Sequence, residues 1–189
     1  AALTAGGATQ VSPGSSCTPV FPGTFPATGN WTAPLYAVSI PGVHPTACAT
    51  WFQAEQACRL SGKRLLTNQE WQAAAAGTPD PGTDNGTTDC DVASAGPVNT
   101  GSRSFCVSRW GAFDMVGNVL EWVADWGSRA ADCEAAELST AATWSVGFGS
   151  DYSCIGGDTA GVATLPGALV RGGDWDSGAG AGVFAVSGS

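Results

Sequence analysis

The sequence predicts an α+β domain with two main helices, a small sheet of short strands and extensive loops. Three observations carry this. Residues 46–76 hold two stretches of helical periodicity with start and stop signals, β-type alternation occurs near residue 35 and again after residue 170, and the intervening chain is Gly-, Ser- and Asp-rich and bracketed by cysteines.

Taken in order, residues 1–30 are rich in Gly, Ala, Ser, Thr and Pro, which suits an extended entry segment, so the domain proper is expected over 31–189. Leu35-Tyr-Ala-Val-Ser-Ile40 alternates as a strand does. Thr46 can cap a first helix whose apolar positions Cys48, Trp51, Ala54 and Cys58 share a face, and Gly62 ends it. Thr67-Asn-Gln-Glu70 forms a capping box, because the Thr hydroxyl can accept from the N–H three residues on while Glu70 reaches back. The second helix runs to about Ala76 and Gly77 stops it. Thr78 to Arg109 and Asp132 to Ala168 read as long loops, and Val170 to Val186 as strand and turn.

Composition removes several functions. With 16 acids against 7 bases the net charge is −9, which repels nucleic-acid phosphates and anionic lipid surfaces. No apolar run approaches the roughly 20 residues needed to cross a bilayer, so membrane insertion is not expected. Seven cysteines without a C-x-x-C pair, beside a single histidine, make a zinc site hard to assemble. Disulfides are the better reading, with Cys90, Cys106, Cys133 and Cys154 as candidates because each consecutive pair brackets one loop. An oxidising compartment follows, either secreted or on a cell or virion surface. The odd count leaves one thiol over.

Four blocks stand out in order along the chain: Trp51-Phe-Gln-Ala-Glu-Gln-Ala-Cys58, Lys63-Arg-Leu-Leu-Thr-Asn-Gln-Glu-Trp71, Gly111-Ala-Phe-Asp-Met-Val-Gly-Asn-Val-Leu-Glu-Trp-Val-Ala-Asp-Trp126 and Arg171-Gly-Gly-Asp-Trp175. Together they resemble the formylglycine-generating-enzyme, or sulfatase-modifying factor, family. The resemblance implies that family's C-type-lectin-like fold, with a small twisted antiparallel sheet, and makes Trp71, Trp122, Trp126 and Trp175 expected core anchors. The family continues past this point with a strand similar to Ile-Gly-Phe-Arg-Cys, so the last strand is expected to be missing. By analogy with the helix-to-last-strand bridge of lectins, the absent cysteine would pair with Cys58.

The chemistry of such families can be tested against these residues. The copper-dependent oxidase carries two cysteines after its Arg-Gly-Gly, thiolates suited to Cu(I). Alignment places Ser177 and Gly182 there, so no copper is expected. The related sulfoxide synthases use an iron centre with histidine ligands, and His44 alone cannot build it. A Ca2+ site is implied by the third block, through side-chain oxygens of Asp114 and Glu121 and carbonyls of Gly117 and Val119. The alternative is a turn closed by Asp114 and a buried hydrogen bond from Glu121, with no ion.

The segment after Arg171 is similar to the variable proteins of diversity-generating retroelements, of bacterial or phage origin. There, mutation of adenines varies residues on a ligand-binding face. Carried over, the resemblance implies a receptor- or adhesin-like protein without catalytic activity, contacting a protein or glycan ligand through Asp174, Asp176, Ser177, Gly180, Phe184, Ser187 and Ser189. Small and polar side chains with an occasional aromatic suit adaptable recognition. For Phe184 a place in the last core strand is the competing account. Two other readings stand beside this one: an oxidoreductase of the formylglycine-generating type, and a structural domain of a surface or virion assembly.

Overall fold

The computed structural model describes residue 10, residues 36–128, residue 151, residues 153–154 and residues 166–188. Helix α1 spans Trp51–Leu60 and α2 spans Asn68–Ala75; the strands are β1, Glu121–Ser128, β2, Ser153–Cys154, β3, Pro166–Gly172, and β4, Gly182–Gly188. They form one sheet in the order β1-β3-β4-β2. Its three main strands are antiparallel, and the two-residue β2 adds to β4 in parallel. The sheet is therefore mixed at one edge rather than wholly antiparallel. No described helix is long and apolar enough to cross a membrane.

The helix signals resolve unequally. Thr67 caps α2 as its sequence predicts, accepting from Glu70 N while Glu70 accepts from Thr67 N. The start of α1 differs from expectation. Thr50, not Thr46, is its N-cap, with Gln53 completing a second capping box. Cys48 has φ +58, which no helix accommodates, so it lies before α1 instead of on its buried face. It is disulfide-bonded. Gly62 and Gly77, both at positive φ, follow the two helices. Residues 36–40 are not a strand. Their backbone bonds go to side chains after α1: Ala37 N donates to Ser61 Oγ and Ala37 O accepts from Lys63 Nζ.

Both outer partners of β3 are bulged, and the bulges explain the packing. Trp122 pairs with Val170 and Trp126 with Ala168, so Val123, Ala124 and Asp125 face only Leu169. Their freed groups hold the helices. Val123 O accepts from Trp51 Nε1, Ala124 N donates to Leu66 O, and Asp125 Oδ2 accepts from Asn68 N at the start of α2. On the other side, Arg171 pairs with Val186 and Gly172 with Gly182, so residues 183–185 bulge out of the register with β3. Arg171 takes them up, donating from Nη1 and Nη2 to the carbonyls of Val183, Phe184 and Ala185.

Two apolar clusters make the core. Trp71, Ala75, Met115, Val123, Leu169 and Val186 fill the space between α2 and the sheet. Cys90, Val92, Cys106, Val116 and Ala181 pack beneath the loops, and Val183 touches both clusters. Trp71 is the central anchor at 2% exposure, but Trp126 is not one. It is 43% exposed, because the β1 bulge turns its ring outward against Trp51, 5.1 Å away.

Candidate functional site

Cys90 and Cys106 are joined, with S–S 2.06 Å and Cα atoms 4.7 Å apart. This staple holds the loop from which the Gly111–Glu121 turn departs. Cys133 lies outside the described residues, as do the side chain of Cys154 and residue Ser189. Cys58 is a free thiol, partly buried on α1.

In the turn, Asp114 takes φ +60 and Asn118 φ +62, a conformation Asp and Asn tolerate better than most residues. Asp114 Oδ2 accepts from Gly101 N at 2.7 Å, closing the loop ahead of it. Glu121, at the start of β1, accepts from Trp71 Nε1 at 2.5 Å. Gly117 N donates to Gly172 O, which ties the turn to β3, and half-buried Val119 lies two residues before Glu121. Burial pushes Glu121 up to about 7 against the lowering effect of the Trp71 bond, and the charge of Asp114 adds to the rise. Burial raises Asp114 as well, with Asp91 adding to it. The neighbouring cation, Arg103, is bonded to Asp84 at 3.1 Å and Asp91 at 2.9 Å. Asp114 and Glu121 each accept from a protein donor, as the ion-free alternative has it, and a hard cation would have to be added to these bonds. No group of three or more His, Cys, Asp or Glu side chains converges among the described residues, so backbone carbonyls and water would have to complete its shell.

The second group of candidates follows Arg171, itself 3% exposed and stacked 4.4 Å over the Trp71 ring. Gly173 passes so close to Ala181 that a Cβ there would sit 2.6 Å from the Ala181 side chain. The chain then turns through a 3-10 helix at Gly178–Gly180. Ser177 Oγ donates to Asp174 Oδ1 at 2.5 Å and accepts from Asp174 N at 3.0 Å. Ser94 N donates to Trp175 O and Gly178 N to Val92 O, which moors the turn to the disulfide-stapled loop. Burial, and then the nearby charge of Asp176, raise Asp174 against the lowering bond from Ser177.

Asp174, Asp176, Ser177 and Gly180 thus share one partly exposed turn. Phe184 and Ser187 do not join them. Phe184 belongs to the bulge of β4, and Ser187 pairs with Val170 on one side and Cys154 on the other. The alternation after residue 170 marked this strand but not its central place in the sheet.

The positions aligned with the copper-binding cysteines are both committed elsewhere. Ser177 closes the turn just described. At Gly182 any Cβ would overlap the carboxylate of Asp151. Asp151 is fully buried and accepts from Phe184 N at 2.6 Å. Sequence reasoning passed it over, since it lies in a Ser- and Gly-rich stretch with no motif and all its partners are distant in the chain. His44 is exposed.

Comparison with known proteins follows this geometry. The family model of the sulfatase-modifying factor enzyme 1-like domain matches residues 27–183. The chain belongs to this family. Its two helices, small sheet and long loops are the sulfatase-modifying factor domain's C-type-lectin-like fold. It is similar to the formylglycine-generating enzyme of Thermomonospora curvata, 31% identical over 117 residues, covering 50% of this chain and 37% of that enzyme. It is also similar to the serine/threonine-protein kinase pkn1 of Chlamydia caviae, 31% identical over 86 residues, covering 44% of this chain and 14% of the kinase. The chain therefore spans well under half the length of these relatives. Among solved structures, the Major Tropism Determinant P3c variant aligns with a TM-score of 0.45 at 24% identity, over 78% of this chain and 34% of that one.

Proposed function

We propose that this sulfatase-modifying factor domain is a non-catalytic, receptor- or adhesin-like module that binds a protein or glycan through the turn Asp174–Gly180, on a scaffold carrying Ca2+ at Asp114, Glu121 and the carbonyls of Gly117 and Val119. The observation that carries it is the overlap at Gly182. A thiolate there would have to displace a buried carboxylate that anchors β4, while Ser177 is engaged in holding the turn. What remains at this end of the sheet is a moored turn with two acids and a hydroxyl, a surface for polar contacts rather than for redox chemistry. The Cys90–Cys106 disulfide supports a secreted, cell-surface or virion-surface location. Retroelement diversification belongs to the same reading. The adjacent DNA should then hold a near-repeat of the codons for 174–189 differing only at adenines.

Screening the purified domain on glycan arrays and intact cells tests the binding role. The D176A variant, at the exposed acid of the turn, should lose at least about tenfold in affinity while its melting temperature stays within a few degrees. Uptake of Cu(I) together with oxidation of a Cys-containing peptide would overturn the proposal. For the ion, added Ca2+ should raise the melting temperature of the parent domain and leave E121Q unmoved.

A further inference from the structure

Asp151 belongs to neither group of candidate residues, yet it is the most completely enclosed acid described, at 0% exposure. Its Oδ2 accepts from Phe184 N, and its Oδ1 has no donor. A buried oxygen left in that state is costly. The carboxyl of Asp80, on the exposed loop after α2, lies within hydrogen-bonding reach of it. Two carboxylates so placed cannot both stay ionised, and a proton on one supplies the donor the other lacks.

We propose that Asp80 and Asp151 share one proton and form an acid-closed clasp that pins the first turn of β4, Gly182–Phe184, to the loop after α2. The other groups bearing on Asp151 agree with this assignment. Arg171 on β3 is the cation that feels its charge, but the guanidinium donates to Gln72 and to the carbonyls of residues 183–185. β4 offers the N–H groups of Phe184 and Ala185. Burial and Asp80 together lift Asp151 to about 7, and burial lifts Asp80 in the same direction. For acids raised on folding, the stabilising contribution is full below the ordinary carboxylate range and is lost as pH rises through the folded value, here near neutrality. Acid therefore closes the clasp and mild alkali opens it, whatever the domain binds.

Native-state hydrogen exchange of the Phe184 amide, corrected for intrinsic exchange, reads the clasp directly. From about pH 6 to about pH 8 its protection should fall at least about tenfold, the equivalent of one pKa unit. D80N, at an exposed position, keeps a permanent donor facing Asp151, and its protection should be flat with pH. D151N should be flat for the same reason, since its amide accepts from Phe184 N and donates to Asp80. An unchanged pH dependence in D80N would overturn the clasp. So would a chelator that lowers Phe184 protection in the parent but not in D80N, because a bridging cation would then be present in place of the proton.

Discussion

Replacing Arg171 with Met keeps an apolar stem beside Trp71 but removes every donor. Four acceptors then lose their partner: the carbonyls of Val183, Phe184 and Ala185, and Gln72 Oε1. At about 1 kcal/mol for each bond lost in a buried setting, the cost is about 4 kcal/mol. The stacked cation over Trp71 adds about 1 kcal/mol. A domain of this size moves about 2–4 °C per kcal/mol, so R171M should melt about 10–20 °C below the parent. R171K separates charge from geometry. An ammonium carries the charge but not the planar fork that reaches three successive carbonyls, and about half the loss should persist. Calorimetry and urea unfolding at neutral pH, where burial leaves Arg171 near 10 and still charged, are the assays. If R171M unfolds within about 1 kcal/mol of the parent, the β4 bulge is not held by this residue and the reasoning fails.

Three further outcomes are expected. Removing the Cys90–Cys106 disulfide as C90A/C106A should cost about 3 kcal/mol in urea unfolding, given a separation of 16 residues; a loss below about 1 kcal/mol would mean that the loop is ordered without it. G182A should destabilise by about 1–3 kcal/mol through its overlap with Asp151, and equal stability would show that the carboxylate has room to move. Arg64, paired with Glu70 at 2.6 Å, holds that carboxyl down at about 2, so in R64A the Glu70 resonance should titrate closer to the ordinary carboxylate range; an unchanged midpoint would assign the depression to the Thr67 cap alone.

What the sequence made legible was local. Thr67 and Glu70 announce a helix start because both halves of the capping box lie within four residues, and Gly62 and Gly77 mark the stops. The first helix starts later than Thr46 predicts because Thr50, with Gln53 three residues on, completes a capping box that Thr46, followed by Ala49, cannot form, and the chain before it puts Cys48 at positive φ. Strand β1 went unread. Its bulge breaks the period of two at the point where Val123 turns inward and Trp126 turns out. At the candidate sites, the turn from Asp174 to Gly180 was visible as one short segment, whereas Asp151 was not visible at all. Its role depends on Asp80, Gly182 and Phe184 meeting across the fold, and no spacing encodes that.

The strand order β1-β3-β4-β2 puts β4 in the interior of the sheet, although it is the last of the described strands to be synthesised. A nascent chain can therefore form both helices and the β1–β3 pair while one side of β3 still shows unpaired N–H and C=O groups. Until residues 182–188 clear the ribosome, that side is a template for a neighbouring chain. Expression yield should consequently respond more sharply to substitutions in β4 than to comparable changes in β1, through aggregation during synthesis as well as through the stability of the finished domain.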